Sequence, residues 1–150
     1  MTGMRRRIGY VVLFVALVAV AGGCGGESYK GLSKAEFLKR ANRACENPTK
    51  AGQELRKQML VEQDENRMSK LWLEDVLPPL EREVDRIADL KPPKADRGKV
   101  KEILELTRDD IDAFTESLEK DPNAALAPGV DPFDKSRDAA TKYGLKICVA

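Results

Sequence analysis

Histidine is absent from the 150 residues of this chain. It is the commonest general base and metal ligand near neutral pH, so serine–histidine and cysteine–histidine nucleophile systems are excluded. No glycine-rich loop for a phosphate is present either, because the glycines at 22–23 and 25–26 flank Cys24 in a short N-terminal segment. The sequence contains no recognisable catalytic motif. We therefore expect no enzymatic activity, no cofactor and no metal site.

A hydrophobic run long enough to span a membrane is also lacking. The apolar run from Ile8 to Ala21 has 14 residues, whereas a spanning helix needs roughly 18 or more. Three arginines at 5–7 precede this run, and Gly22-Gly23-Cys24 follows it. A basic segment, a short apolar run and small residues at the cleavage site are the three parts of a secretory signal. Residues 1–23 are therefore predicted to be a signal peptide.

Cys24 is the predicted lipidation site. Small residues precede it, as in lipoprotein signals, although Ala21 stands where leucine is usual. The polar, glycine-rich residues 24–32 suit a tether, and two or more acyl chains such as palmitate would anchor it stably. These features predict a protein on the extracytoplasmic face of the cell membrane. Ordinary cleavage near Gly23, which would release a soluble protein, is the alternative.

A strong excess of charge of either sign is missing. Without the three arginines of the leader, 23 basic side chains stand against 25 acidic ones, a net charge of −2. A nucleic-acid-binding domain would be strongly basic, so nucleic acid is excluded as a partner. The 127 residues that remain are enough for one domain with a real core. We place this domain at residues 33–150.

Cysteine is scarce: with Cys24 assigned to lipid, only Cys45 and Cys148 remain. Two thiols outside the cytoplasm have one intramolecular pairing available. A bridge would close a loop of about 100 residues and stabilise the domain by roughly 4–5 kcal/mol in the chain-entropy model. A redox-active pair or a metal site is the alternative, but the sequence has no CxxC motif. We predict a structural disulfide.

Alternating strand patterns are absent, whereas apolar residues recur every three to four positions, as in amphipathic helices. Ser33 to Glu36 has the form of a capping box, in which Ser33 accepts backbone hydrogen bonds and Glu36 reaches back. The helix that begins there is predicted to end at Asn47-Pro48. Residues 49–70 are polar and predict a helix that is exposed along much of its length and whose continuity the pattern does not define.

The second half of the chain has a stronger helical pattern. The apolar spacing between 71 and 90 is regular, and Trp72 is interpreted as a core residue rather than a ligand platform. Pro78-Pro79 either kinks this helix or begins a new segment. After the Pro92-Pro93 stop, a helix from 95 or 96 to about 120 is predicted. Its inner stripe, the clearest in the chain, consists of Val100, Ile103, Leu104, Thr107, Ile111, Phe114 and Leu118.

A final helix follows a predicted loop over 121–132. Asp131 is its expected N-cap, and Gly144 is placed to end it in the left-handed conformation. The fold class predicted from all these segments is all-α, a small bundle of four to five helices.

Two charged clusters are the remaining candidates for a site. The acidic cluster consists of Asp109, Asp110, Asp112 and Glu116. A glycosidase needs two carboxyl groups facing each other across a cleft, and a calcium loop alternates its ligands around a glycine. The cluster matches neither pattern, so a solvated helix face is preferred.

The second cluster is a basic turn, which we define as Lys91, Lys94, Arg97, Lys99 and Lys101. It would contact anionic headgroups or a cell-wall polymer if the bundle placed it toward the membrane. An ordinary solvated turn is the simpler interpretation.

Three short segments are distinctive: Ser33-Lys34-Ala35-Glu36-Phe37 with Cys45, Leu90-Lys91-Pro92-Pro93, and the closing Tyr143-Gly144-Leu145-Lys146-Ile147-Cys148. Together with the leader, they resemble a family of small envelope lipoproteins common in high-GC Gram-positive bacteria. The resemblance spans most of the mature chain. It implies a secreted or lipidated helical domain with Cys45 joined to Cys148, and it supplies no catalytic residues.

The expected function is that of a membrane-anchored, extracytoplasmic lipoprotein that acts as a non-catalytic interaction module of the cell envelope, with an envelope protein as its partner. The alternative is a lipoprotein that binds a small or lipidic ligand between its helices, with residues 49–70 as a mobile lid. A carboxylate or metal enzyme is the third hypothesis.

Overall fold

The computed structural model describes residues 30–46, 50–127, 129 and 131–146. These residues form five helical stretches and contain no strand, which confirms the predicted all-α bundle. The stretches are α1 (Lys34–Ala41) with α2 (Arg43–Glu46), α3 (Lys50–Val61), α4 (Glu65–Lys70) continuing through a π-helical segment (Leu71–Val76) into α5 (Leu77–Ala88), α6 (Arg97–Lys120), and α7 (Asp134–Tyr143). Short 3-10 helices occupy Lys94–Asp96 and Pro122–Leu126.

Helix α6 is the centre of the bundle and packs against α5 and α7. All seven residues of its predicted inner stripe are buried. The facing side of α5 buries Leu80, Val84 and Ile87. Each large apolar side chain contributes roughly 1.5–3 kcal/mol when it leaves water, so this interface is the main source of stability.

An aromatic cluster closes the end of the bundle that holds the C-terminal half of α6. The ring centroids of Trp72 and Phe114 are 5.0 Å apart in an edge-on arrangement, and Phe133 lies 6.0 Å from Phe114. Edge-on packing places a positive ring edge on a negative ring face, which favours this geometry. Trp72 is half-buried within this cluster, so the prediction that it belongs to the core is confirmed.

Helix α1 begins with half of the predicted capping box. The Ser33 hydroxyl accepts a hydrogen bond from the backbone N–H of Glu36 at 3.2 Å. Glu36 does not reach back, because its carboxylate binds Nε of Arg40 at 2.7 Å. That hydrogen bond and the nearby charge of Arg40 hold the pKa of Glu36 below its usual value. The return half of the box was therefore predicted wrongly.

The predicted first helix is also interrupted at Asn42, which separates α1 from α2. The buried side chain of Asn42 binds the C-terminal residues of the chain: its amide donates to the carbonyl oxygen of Gly144, and its oxygen accepts from the backbone N–H of Lys146, both at 2.9 Å. The helix breaks where this side chain holds the end of the domain.

Pro78-Pro79 does not interrupt the helical stretch that runs from α4 into α5. Both prolines lie in the first turn of α5, directly after the π-helical segment. The backbone N–H of Leu77 there donates to the carbonyl oxygen of Trp72, five residues earlier. Prolines lack an N–H and clash with the carbonyl of the preceding turn. The wider π turn accommodates this clash, so the stretch from α4 to α5 remains continuous.

The ends of α4 and α7 are fixed by aspartates. Asp64 accepts from the backbone N–H of Arg67 at 2.9 Å and caps α4. Asp131 accepts from the backbone N–H of Phe133, so it shapes the turn before α7 but is not its N-cap. Gly144 ends α7 at φ +99°, as predicted. The carboxylate of Asp131 therefore binds the residue before α7 instead of the first turn of the helix.

Candidate functional site

The structure places the tether beside the basic turn. The backbone N–H of Leu32 donates to the carbonyl oxygen of Lys91 at 2.7 Å, and the Leu32 side chain packs against the core. All five cations of the basic turn are exposed. The chain therefore enters the domain at the end of the bundle that carries these cations.

The acidic residues at this end are partly engaged. Asp96 accepts a hydrogen bond from the hydroxyl of Tyr143 at 2.9 Å. Burial, together with this contact to a carboxylate, raises the pKa of Tyr143, so its hydroxyl stays protonated and continues to donate. Lys34 lies over the opposite part of the same ring, 4.5 Å from its centroid. Tyr143 thus joins α1, α7 and the basic turn.

A surface cleft of about 390 Å³ runs along the base of α5 and α6. Its apolar walls include Leu90, Pro92 and Val100. Two of its cations are already paired, Lys101 with Glu105 at 3.2 Å and Arg108 with Asp85 at 3.0 Å. The cleft is an apolar groove with a charged rim.

The acidic cluster does not form a catalytic pair. Asp109, Asp112 and Glu116 are exposed on α6, and Glu116 binds Lys120 at 2.6 Å. Asp110 is half-buried and accepts from the backbone N–H of Ser136 in α7 at 3.2 Å. This carboxylate satisfies a donor in the first turn of α7. The cluster therefore consists of solvated charges and one helix-stabilising contact.

Cys45 lies beside the end of the described chain. Its sulfur is 3.4 Å from the carbonyl oxygen of Lys146, and the ammonium group of Lys146 binds Glu46 at 3.1 Å. Cys24 and Cys148 lie outside the described residues. The contacts of Cys45 nevertheless place α2 next to the segment that leads into Cys148.

Helix α3 has no buried residue, although Gly52, Leu55 and Met59 are partly shielded. All 12 of its residues are described, and none is buried. Leu60 and Val61 at its C-terminal end are 80% and 77% exposed. A surface cleft of about 350 Å³ lies beside them, lined largely by the charged side chains Glu62, Arg67, Lys70, Glu74 and Asp75. The predicted exposure of this region is confirmed for α3, whereas Met68 and Ser69 of α4 are buried.

The interior between α5 and α6 is filled. A cavity lined by Leu80, Val84, Ile103 and Leu145 has a volume of about 10 Å³, which is no more than the space that a single water needs. A ligand cannot be enclosed at this point between the helices.

Two structural side chains, Asn42 and Asp110, have no signal in the sequence. Both act on backbone groups that are distant in the chain, Asn42 on residues 144 and 146 and Asp110 on Ser136. A buried polar side chain needs a hydrogen-bond partner, but sequence periodicity does not reveal which partner it finds. Neither residue was distinguishable from an ordinary polar residue on a helix surface.

Metal and membrane sites were sought in the same described part of the chain. It contains no group of three or more side chains that could hold a metal ion, and no helix within it is both long and apolar enough to cross a bilayer. No protein-family model, curated protein or solved structure matches the chain.

Proposed function

We propose that this protein is a lipid-anchored, extracytoplasmic interaction module, and that α3 carries its binding surface. One observation supports this most: none of the 12 residues of α3 is buried, and the helix ends in two exposed apolar residues. Single exposed apolar residues are common. Two adjacent ones beside a cleft, on a helix without buried residues, fit a surface that a partner covers.

The chemistry of this surface favours a protein partner over a small apolar ligand. The apolar Leu60 and Val61 project beside a cleft with both cationic and acidic walls, including Arg67 and Glu74. Protein interfaces combine an apolar centre with a polar rim of this kind. The partner we propose is an envelope protein that presents an apolar side chain to Leu60 and Val61.

The anchor is the second part of the proposal. Residues 1–23 act as a signal peptide, Cys24 receives the lipid, and residues 24–32 tether the helical domain. Support comes from the sequence of the leader and from Leu32, which fixes the start of the domain on its surface. Intact mass spectrometry of the protein from its own membranes tests it: a lipid mass increment should be present, and Cys24→Ala should remove it.

The third part is a structural disulfide between Cys45 and Cys148. Cys148 follows Lys146 by two residues, a span of at most about 7 Å, and Cys45 already contacts Lys146. Disulfide-bonded residues have Cα atoms about 4.4–6.8 Å apart, so the pairing is within reach. Peptide mapping without reduction should recover the two segments as one linked species; separate peptides with free thiols would contradict the pairing.

An alternative function is the binding of a small or lipidic ligand. The observation that favours it is the cleft of about 390 Å³, since ligand sites usually have volumes of roughly 300–1,000 Å³. Its apolar walls and charged rim would suit an amphiphilic anion. This site lies at the surface and does not involve residues 49–70 as a lid.

The deciding experiment is native mass spectrometry of the full-length protein, extracted from its own membranes in mild detergent. We expect a complex with a second polypeptide. The double variant Leu60→Glu, Val61→Glu should lose this polypeptide, because two charges would enter the apolar centre of the interface. The control variant Ala113→Glu, which adds a charge on an exposed position of α6, should retain it.

Three results would contradict the proposal. A small-molecule adduct in place of the polypeptide would favour the ligand-binding alternative. A polypeptide that both variants retain would place the interface away from α3. Turnover of a substrate that disappears when Asp109 or Glu116 is neutralised would show an enzyme.

A further inference from the structure

The end of the bundle where the tether enters carries several exposed lysines. The ammonium groups of Lys91, Lys94 and Lys99 are exposed, and no carboxylate among the described residues lies within ion-pair distance of them. Lys30, two residues before Leu32, is exposed as well. This end therefore presents a group of solvent-exposed lysines.

The charge distribution of the mature chain makes this end distinctive. Residues 91–101 carry five cations and one acid, a net charge of +4. The mature chain as a whole has a net charge of −2, so the rest of it carries −6. The basic turn therefore has a net positive charge, whereas the rest of the mature chain is net acidic.

The tether restricts what this turn can meet. Six residue steps separate Cys24 from Lys30, and six steps reach at most about 21 Å when fully extended. Leu32 then holds the chain to Lys91 through the 2.7 Å hydrogen bond. A lipid on Cys24 would consequently keep the basic turn within a short distance of the headgroups.

We propose that the basic turn, together with Lys30, docks on the anionic phosphate headgroups of the membrane that holds Cys24. This inference rests on the proposed lipidation. Lysine suits such a surface, because its ammonium is a point charge on a flexible stem that needs no fixed partner geometry. Clusters of lysine and arginine close to a membrane bind anionic lipids through the surface potential. The docked domain has α6 pointing away from the bilayer.

A lipid surface is preferred to a soluble anion because the described lysines at this end do not converge on one site. Lys91 lines the neighbouring cleft, whereas Lys94 and Lys99 do not, and the cleft cations Lys101 and Arg108 are already paired. A spread of exposed charge matches a planar layer of headgroups better than a single phosphate. Salt dependence and lipid composition should therefore control the interaction.

The experiment uses the full-length lipidated protein in lipid nanodiscs that contain a small amount of a gadolinium-chelating lipid. One set of discs is phosphatidylcholine alone, and the other contains about one-third phosphatidylglycerol. The measurement is the paramagnetic broadening of backbone amide signals. In anionic discs we expect the strongest broadening at residues 89–101 and little at Leu60 and Val61. Sodium chloride at about 0.5 M should reverse it, because the screening length falls to a few ångströms.

Matched variants separate docking from a general effect of charge. Lys91→Glu, Lys94→Glu, Lys99→Glu reverses the turn, whereas Lys39→Glu, Lys120→Glu, Lys135→Glu makes the same change in net charge on exposed lysines elsewhere. The first triple variant should lose the broadening at 89–101, and the second should keep it. If the first triple variant does not fold, the lipid and salt dependence of the unaltered protein decides the question.

Failure of docking and failure of the lipid anchor give different results. Equal broadening in neutral and anionic discs, or broadening that the first triple variant retains, would overturn docking while leaving the anchor intact. A missing lipid increment in the intact mass would overturn the anchor itself, and docking with it.

Discussion

Helices α3 and α6 are both rich in charge, yet they have opposite roles. Every residue of the α6 stripe is buried, whereas α3 buries none of its residues. The difference lies in apolar spacing. The α6 stripe repeats every three or four residues over 24 residues, so that all its members fall on one side. The large apolar residues of α3 are few, and three of the four, Met59, Leu60 and Val61, are consecutive at its C-terminal end.

This comparison separates the residues that hold the fold from those that remain available to a partner. Most helix stability in proteins comes from packing of an amphipathic face. A helix without such packing persists in a chain only at low local stability. We therefore expect α6 to open only with global unfolding and α3 to exchange its amide hydrogens much faster.

The largest expected effect contrasts one residue of each helix. Ile111 is 1% exposed and Leu60 is 80% exposed. Ile111→Ala should lower the free energy of unfolding by about 2–5 kcal/mol, because it leaves a cavity in the core. Leu60→Ala should change it by less than about 0.5 kcal/mol. Urea unfolding followed by circular dichroism measures both; similar losses would break the distinction between the two helices.

The next effect concerns Asn42, which holds the C-terminal end of the domain against α1. Asn42 is 7% exposed and satisfies two backbone groups near the C-terminal end of the domain. Asn42→Ala should reduce the free energy of unfolding by about 1–3 kcal/mol, because the partly buried carbonyl of Gly144 and N–H of Lys146 lose their partner. It should also speed amide exchange at Lys146. The exposed neighbour Lys39, changed to Ala, should do neither.

Two glycines give a smaller effect of opposite sign. Gly144 has φ +99°, and a Cβ there would lie 3.2 Å from Cδ1 of Leu38. Gly144→Ala should destabilise the domain by about 1–2 kcal/mol. At Gly98 in α6, a Cβ would meet nothing within 4 Å, so Gly98→Ala should stabilise it by up to about 1 kcal/mol. Thermal unfolding of the two variants and the unaltered protein measures these changes in stability. Destabilisation by both substitutions would show that α6 does not tolerate a side chain at position 98.

The smallest effect concerns pH. Burial raises the pKa of Glu83 above its ordinary 4.5, although the charge of Arg86 acts in the opposite direction. The folded state therefore holds this proton more tightly than the unfolded state. Protonated Glu83 therefore adds to stability at pH values below its pKa in the unfolded state. This contribution is lost as the pH rises through its pKa in the folded state.

Glu83→Gln removes this loss. Relative to the unaltered protein, the variant should gain stability as pH rises above about 4.5, by less than about 1 kcal/mol. Urea unfolding at several pH values measures the difference between the two proteins. A difference that is constant with pH, or that shrinks as pH rises, would contradict the raised pKa.

Periodicity predicted the α6 stripe completely, because burial of a helix face depends only on the order of residues along the helix. The left-handed end of α7 at Gly144 was also predictable, because glycine itself favours this conformation after a helix. What it could not predict depends on distant partners. Asn42 breaks a helix because residues 144 and 146 lie beside it, and Asp110 is engaged because α7 begins above it.

The same limit applies to the candidate sites. The five cations of the basic turn were evident in the sequence, but their position beside the tether depends on the hydrogen bond between Leu32 and Lys91. The surface of α3 was predicted only as an exposed region. Which of its residues would meet a partner follows from the exposure of Leu60 and Val61 beside the cleft.

The π-helical segment sets the rotational phase between the two halves of a long helix. A π turn is a local insertion of one residue into an α-helix, and one residue turns an α-helix by about 100°. Met68 and Ser69 point into the core only with this offset, as do Leu80 and Val84 on the other side of it. Deleting one residue between 71 and 76 would preserve every apolar side chain outside the deletion. It would rotate α4 away from its contact with residues 122–126, so here the number of residues matters more than their identity.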